Sequence, residues 1–89
     1  MKIREGFILR KVAGQHVVVA IGPASKILNG MIKLNDTGAF CWDYLLKGTS
    51  EEELVGAIMS EYGIDKEQAA SDVRAFVDTL RGAGCLDED

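Results

Sequence analysis

Ile32-Lys33-Leu34-Asn35-Asp36-Thr37-Gly38-Ala39-Phe40-Cys41-Trp42-Asp43-Tyr44-Leu45 is a strand running straight into a helix. Ile32 and Leu34 share one face and Met31 and Lys33 the other, the period-two pattern of a half-buried strand. Asn35 and Asp36 can each accept from the free N–H groups that open a helix. Gly38, Cys41, Trp42 and Leu45 then fall together at helical spacing, which assigns the single tryptophan to the core rather than to an exposed anchor. The helix runs to about Leu46 and stops at Lys47-Gly48, a basic last turn followed by glycine.

Toward the N-terminus, two further strands are expected. Phe7 to Val12 is the first, Ala13-Gly14-Gln15 a hairpin turn, and His16 to Ile21 the second, rich in β-branched residues. Gly22-Pro23 ends the ladder, because proline donates no hydrogen bond. A connector over residues 24 to 28 has room for one helical turn, and Asn29-Gly30 signals a turn into the third strand. Toward the C-terminus, Ser50-Glu51-Glu52-Glu53 and Asp65-Lys66-Glu67-Gln68 each read as a capping box opening a helix. The second helix carries Leu54, Val55, Ile58, Met59 and Tyr62 on one stripe and ends at Gly63. The third runs from about Lys66 to Arg81 with Ala69, Val73, Phe76, Val77 and Leu80 as its core stripe. Gly82-Ala83-Gly84 breaks it, Cys85-Leu86 can fold back on the core, and Asp87-Glu88-Asp89 is expected to fray. The expected fold is therefore α+β and winged helix-turn-helix-like. A three-stranded antiparallel sheet is followed by three helices (β-β-β-α-α-α) in one domain over residues 1–89.

Composition excludes more than it assigns. The chain has 89 residues, 47% of them apolar and 27% charged. It holds no apolar run of the roughly 20 residues a membrane span needs, and no signal-like stretch follows Met1, so a cytoplasmic location and no membrane partner are expected. Cys41 and Cys85 are read as reduced thiols with a packing role. His16 has no second ligand at a familiar spacing, so no metal and no cofactor are expected. No nucleophile elbow or phosphate-cradling glycine loop is present, and no catalytic residue is assigned. The formal charge of −4 opposes non-specific nucleic-acid binding. It is unevenly spread, +4 over residues 1–47 and −8 over residues 48–89, so the strand half can steer an acidic partner. As a DNA-reading helix the third would present four acids to three bases, a poor match to phosphates.

A peptide fits better. So small a sheet has unpaired edges, and an extended peptide can join one as a further strand while a neighbouring groove selects side chains. One flank of the third helix carries Asp72, Ala75, Thr79 and Ala83. These small residues either floor such a groove or let the helix pack closely on its own sheet.

The run Met31 to Leu45, followed by Gly48-Thr49-Ser50-Glu51-Glu52-Glu53-Leu54, resembles the PqqD-like family. Glu61-Tyr62-Gly63-Ile64-Asp65 and the ending Val73, Phe76-Val77, Leu80, Gly84 resemble it too, so the resemblance spans about Glu5 to Leu86. It implies a RiPP recognition element, a non-enzymatic domain that holds the leader of a ribosomally made precursor peptide. Such a domain presents the leader to a modifying enzyme such as a radical SAM protein. By that resemblance Met31, Ile32, Lys33 and Leu34 supply a strand-pairing edge, and Asp72, Ala75, Phe76 and Thr79 line the groove beside it. The segment Gly22 to Lys26 is longer than the tight turn expected of the family's namesake in pyrroloquinoline quinone synthesis, which points to a relative serving another peptide. A winged-helix DNA-binding module, and a structural domain forming a homodimer through Met31 to Leu34, are the alternatives.

Overall fold

The structure, a computed structural model, describes residues 1–28 and 30–88. Asn29 of the expected Asn29-Gly30 turn and Asp89 of the expected tail lie outside them. The order is β1 (Lys2–Ile3), β2 (Phe7–Val12), β3 (Gln15–Ala20), a 3-10 turn (Gly22–Lys26) and β4 (Met31–Leu34). Three helices follow, α1 (Asp36–Lys47), α2 (Glu51–Tyr62) and α3 (Lys66–Gly82), and then β5 (Leu86–Asp87). The α+β, winged helix-turn-helix-like order is thus the one observed. Strands β2, β3 and β4 form an antiparallel sheet in that spatial order, with β4 at one edge.

Local chemistry explains the elements. Ala13 and Gly14 both have positive φ, 52° and 79°, and Val12 pairs with Gln15, so the hairpin closes on two residues. That pair of left-handed residues matches the twist of the flanking strands. It also starts β3 at Gln15 and ends it at Ala20, one residue earlier at each end than the sequence suggests. Asn35, not Asp36, caps α1, its side chain accepting from the Gly38 N–H at 2.8 Å. Ser50 and Asp65 cap α2 and α3, accepting from Glu53 N–H at 3.1 Å and Gln68 N–H at 2.8 Å. The reciprocal half of each box differs from expectation. The Ser50 hydroxyl donates to the Glu53 carboxylate at 3.4 Å, and the Gln68 amide turns forward to donate to Asp72 at 2.8 Å.

The core is one cluster between the sheet and the helices. Phe7 and Val18 come from the sheet, Cys41, Trp42 and Leu45 from α1, Leu54 and Ile58 from α2, and Ala69, Val73, Val77 and Leu80 from α3. Trp42 is 1% exposed, so it is a packing residue. Tyr62, expected on the core stripe, is exposed and meets the Phe40 ring edge-on, centroids 5.7 Å apart. Ile64 and Met59 are only half-buried.

The expected frayed tail is a second correction. Leu86–Asp87 pairs antiparallel with Lys2–Ile3. Leu86 and Cys85 are buried, the Arg4 N–H donates to the Cys85 carbonyl at 2.8 Å, and the Arg4 side chain donates to the Leu86 carbonyl at 3.1 Å. Glu88 accepts from Arg81 Nε and Nη2, at 2.9 and 2.7 Å, which holds its carboxyl below the usual range. Strands β1 and β5 thus clasp each other.

Candidate peptide-binding edge and groove

The register of the sheet decides what β4 presents. Residues directly opposite share a face. His16 pairs with Leu34, Val17 with Lys33, Val18 with Ile32 and Val19 with Met31. Val18 is buried in the core, so Ile32 and Leu34 face inward with it, both half-buried. Met31 and Lys33 stand on the outer face, Met31 59% exposed. On the side away from β3, β4 has no strand beside it among the described residues. Alternate N–H and C=O groups of an edge strand point away from its neighbour, as a ready template for another strand.

Beside that edge lies a groove of about 250 Å³ between β4, the start of α1 and one flank of α3. It is lined by Lys33, Leu34, Asn35, Thr37, Gly38, Asp72, Ala75, Phe76 and Thr79. Six of the residues expected from sequence therefore meet there: Lys33, Leu34, Asp72, Ala75, Phe76 and Thr79. Met31 and Ile32 do not line it; Ile32 packs on the core. Ala83 of the small-residue flank is also outside it, packed against the core instead. Asn35, Thr37 and Gly38 are additions. They form the capping turn of α1, and their place on the groove depends on where α3 packs, which the strand-to-helix run alone does not show.

Three details shape the cavity. Gly38 lets the Phe76 ring lie against α1: a Cβ there would sit 3.2 Å from Phe76 Cδ1 and 3.3 Å from Asn35 Oδ1. Phe76 is half-buried, part core and part groove wall. The Thr79 hydroxyl donates to the Ala75 carbonyl at 2.9 Å, so it turns back onto its own helix. Asp72 is the one acid on the lining, half-buried and holding the Gln68 amide. On the far side of the α1 cap, His16 lies 3.1 Å from Asp36 and ties β3 to the first turn of α1.

The ionisable groups on the groove's lining are the Lys33 amine and the Asp72 carboxylate. Beside it, Cys41 is fully buried, and burial, with the Asp72 carboxylate adding to it, pushes its thiol up to about 11. A neutral, enclosed thiol is a poor nucleophile. Among the described residues no cluster of three His, Cys, Asp or Glu is placed to hold a metal ion. No helix among them is long and apolar enough to cross a membrane.

The family described as "Coenzyme PQQ synthesis protein D (PqqD)" matches residues 7–86. Two solved structures are similar over almost their whole length. One is "TbiB1 in Complex with the TbiA(beta) Leader Peptide", with a TM-score of 0.77 at 25% identity, covering 100% of this chain and 98% of that one. The other is "Lasso peptide synthetase B1 complexed with the leader peptide", with a TM-score of 0.73 at 25% identity, covering 97% and 96%. No curated protein matches the chain.

Proposed function

The chain belongs to the PqqD family, and from that premise we propose that it is a non-enzymatic adaptor for a leader peptide. The leader adds to β4 as a fourth strand and seats alternate side chains in the groove against α3. The chain acts as one recognition domain and presents the leader to a modifying enzyme, such as a radical SAM protein. The observation that carries this reading is the coincidence of an unpaired strand edge with a preformed groove, in a fold matched end to end by two leader-bound proteins. Strand pairing supplies sequence-independent hydrogen bonds, and the groove supplies selectivity.

A DNA-reading role is disfavoured by the same helix. Arg74 is paired with Glu51 at 3.0 Å and Arg81 with Asp78 and Glu88, so two of the three bases on α3 are already engaged. An edge-to-edge homodimer through β4 would hide the edge when no peptide is bound, and would compete with the leader.

The test uses fluorescently labelled N-terminal segments of the short peptides encoded beside this gene. Ala75→Trp fills the groove from the exposed side of α3. At least one wild-type peptide complex is expected, weakened about ten-fold or more by Ala75→Trp, because a blocked pocket loses its buried anchor. A peptide that binds both proteins equally would place its site elsewhere.

A further inference from the structure

Two charged residues flank the β4 edge, Lys33 on the strand and Asp72 on α3, and the sheet register says which leader residues would meet each. Lys33 continues a cross-strand row, Arg10 to Val17 to Lys33, on the outer face. Met31 continues the neighbouring row, Ile8 to Val19 to Met31. Along β2, β3 and β4 this face holds Ile8, Val17, Val19 and Met31 with two cations, Arg10 and Lys33, and no acid. Lys33 also borders the groove, whose one acid is Asp72. Lys33 is in no ion pair among the described residues, and Asp72 holds only the neutral Gln68 amide.

We propose that Lys33 and Asp72 together read the charge pattern of the leader strand and so fix its register. The inference rests on strand addition at β4. A leader residue across from Lys33 extends the Arg10–Val17–Lys33 row and is acidic. The residue two positions away, across from Met31, extends an apolar row and is apolar. The intervening residues face the groove, where Asp72 accepts a neutral or basic neighbour and repels an acid. A slip of one residue moves every side chain of a strand to the opposite face. The slipped leader would put its acid beside Asp72 and leave Lys33 unmatched, so both ends of the charge pattern oppose it. Backbone pairing alone cannot distinguish the two registers, because every residue offers the same N–H and C=O.

The experiment pans a displayed library of short random peptides on the wild-type protein, on Lys33→Glu and on Ala75→Trp. Enriched peptides are then measured by fluorescence anisotropy. Wild-type selections are expected to share an acidic and an apolar residue two positions apart, with no acid between them. Lys33→Glu should select a basic residue in place of the acid. A wild-type-selected peptide should lose about five-fold or more in affinity for Lys33→Glu, since a cross-strand pair of opposite charge becomes one of like charge. Exchanging its acid for lysine should restore the loss. Lys33→Gln, which removes charge without reversing it, should fall between, and circular dichroism checks that each variant is folded. Peptides that need the open groove but bind wild type and Lys33→Glu alike would overturn the charge reading and leave strand addition standing. Peptides indifferent to Ala75→Trp, or no enrichment at all, would overturn both.

Discussion

Gly38 is the residue on which the groove's shape depends most directly. With no side chain it leaves the Phe76 ring in place as a wall; a Cβ would meet that ring at 3.2 Å. Gly38→Val adds two further carbons, which must push Phe76 toward the groove. Overpacking of this kind costs about 1–3 kcal/mol, so urea unfolding should show a lower midpoint with an unchanged slope, and leader affinity should fall with it. A variant that loses stability but binds as before would mean that Phe76 does not border the bound peptide. Cys41 gives the pH prediction. Its thiol, pushed up to about 11, holds its proton more tightly when folded than in the unfolded chain, where the ordinary value is 9.0. Its contribution is therefore complete below about pH 9 and is lost as the pH rises toward 11. Two pKa units correspond to about 3 kcal/mol. Unfolding free energies measured at pH 7 and pH 10.5 should fall further for the wild type than for Cys41→Ala. Equal falls would show that the thiol is not protected.

At the scale of elements, the strand-to-helix run from Ile32 to Leu45 was legible because two periodicities meet at one capping residue. Asn35 was readable as a cap because short polar side chains accept from free helix N–H groups. The lining role of Asp72, Ala75, Phe76 and Thr79 came through a family resemblance supported by helical spacing; spacing alone left groove and close packing equally open. Three features were not legible. The forward turn of Gln68 to Asp72 depends on a neighbour four residues on, outside the capping motif. Gly38 looked like a core position, and its place on the groove needed the position of Phe76 from another helix. The clasp of β1 with β5 joins two-residue strands, too short to show any period. The acidic tail read as frayed because only the folded chain brings Lys2 and Arg81 to it. Leu86→Ala tests the clasp. A buried leucine truncated to alanine costs about 2–5 kcal/mol. Hydrogen exchange at Arg4 and Cys85 should quicken more than at Val18. An unchanged exchange pattern would mean that the end strands contribute little.

At the scale of the whole molecule, the helices build a rigid support and the sheet offers the reading edge. Trp42, Leu45, Leu54, Ile58 and Leu80 fill the core, which leaves the polar edge of β4 and the adjacent flank of α3 free to act together. The basic charge sits in the strand-bearing half of the chain and the acidic charge in the half that begins after α1. On the proposed function, an incoming peptide with acidic residues would be drawn to the sheet and turned from the helices, an effect that added salt should weaken. Strand addition at β4 is the central claim. It is tested most directly by nuclear Overhauser contacts between isotope-labelled leader peptide and the unlabelled protein. The account predicts interstrand contacts from the peptide backbone to Met31 through Leu34, with side-chain contacts to Ala75 and Phe76 from alternate peptide residues. A bound peptide that is helical, or that contacts α3 without pairing to β4, would contradict it.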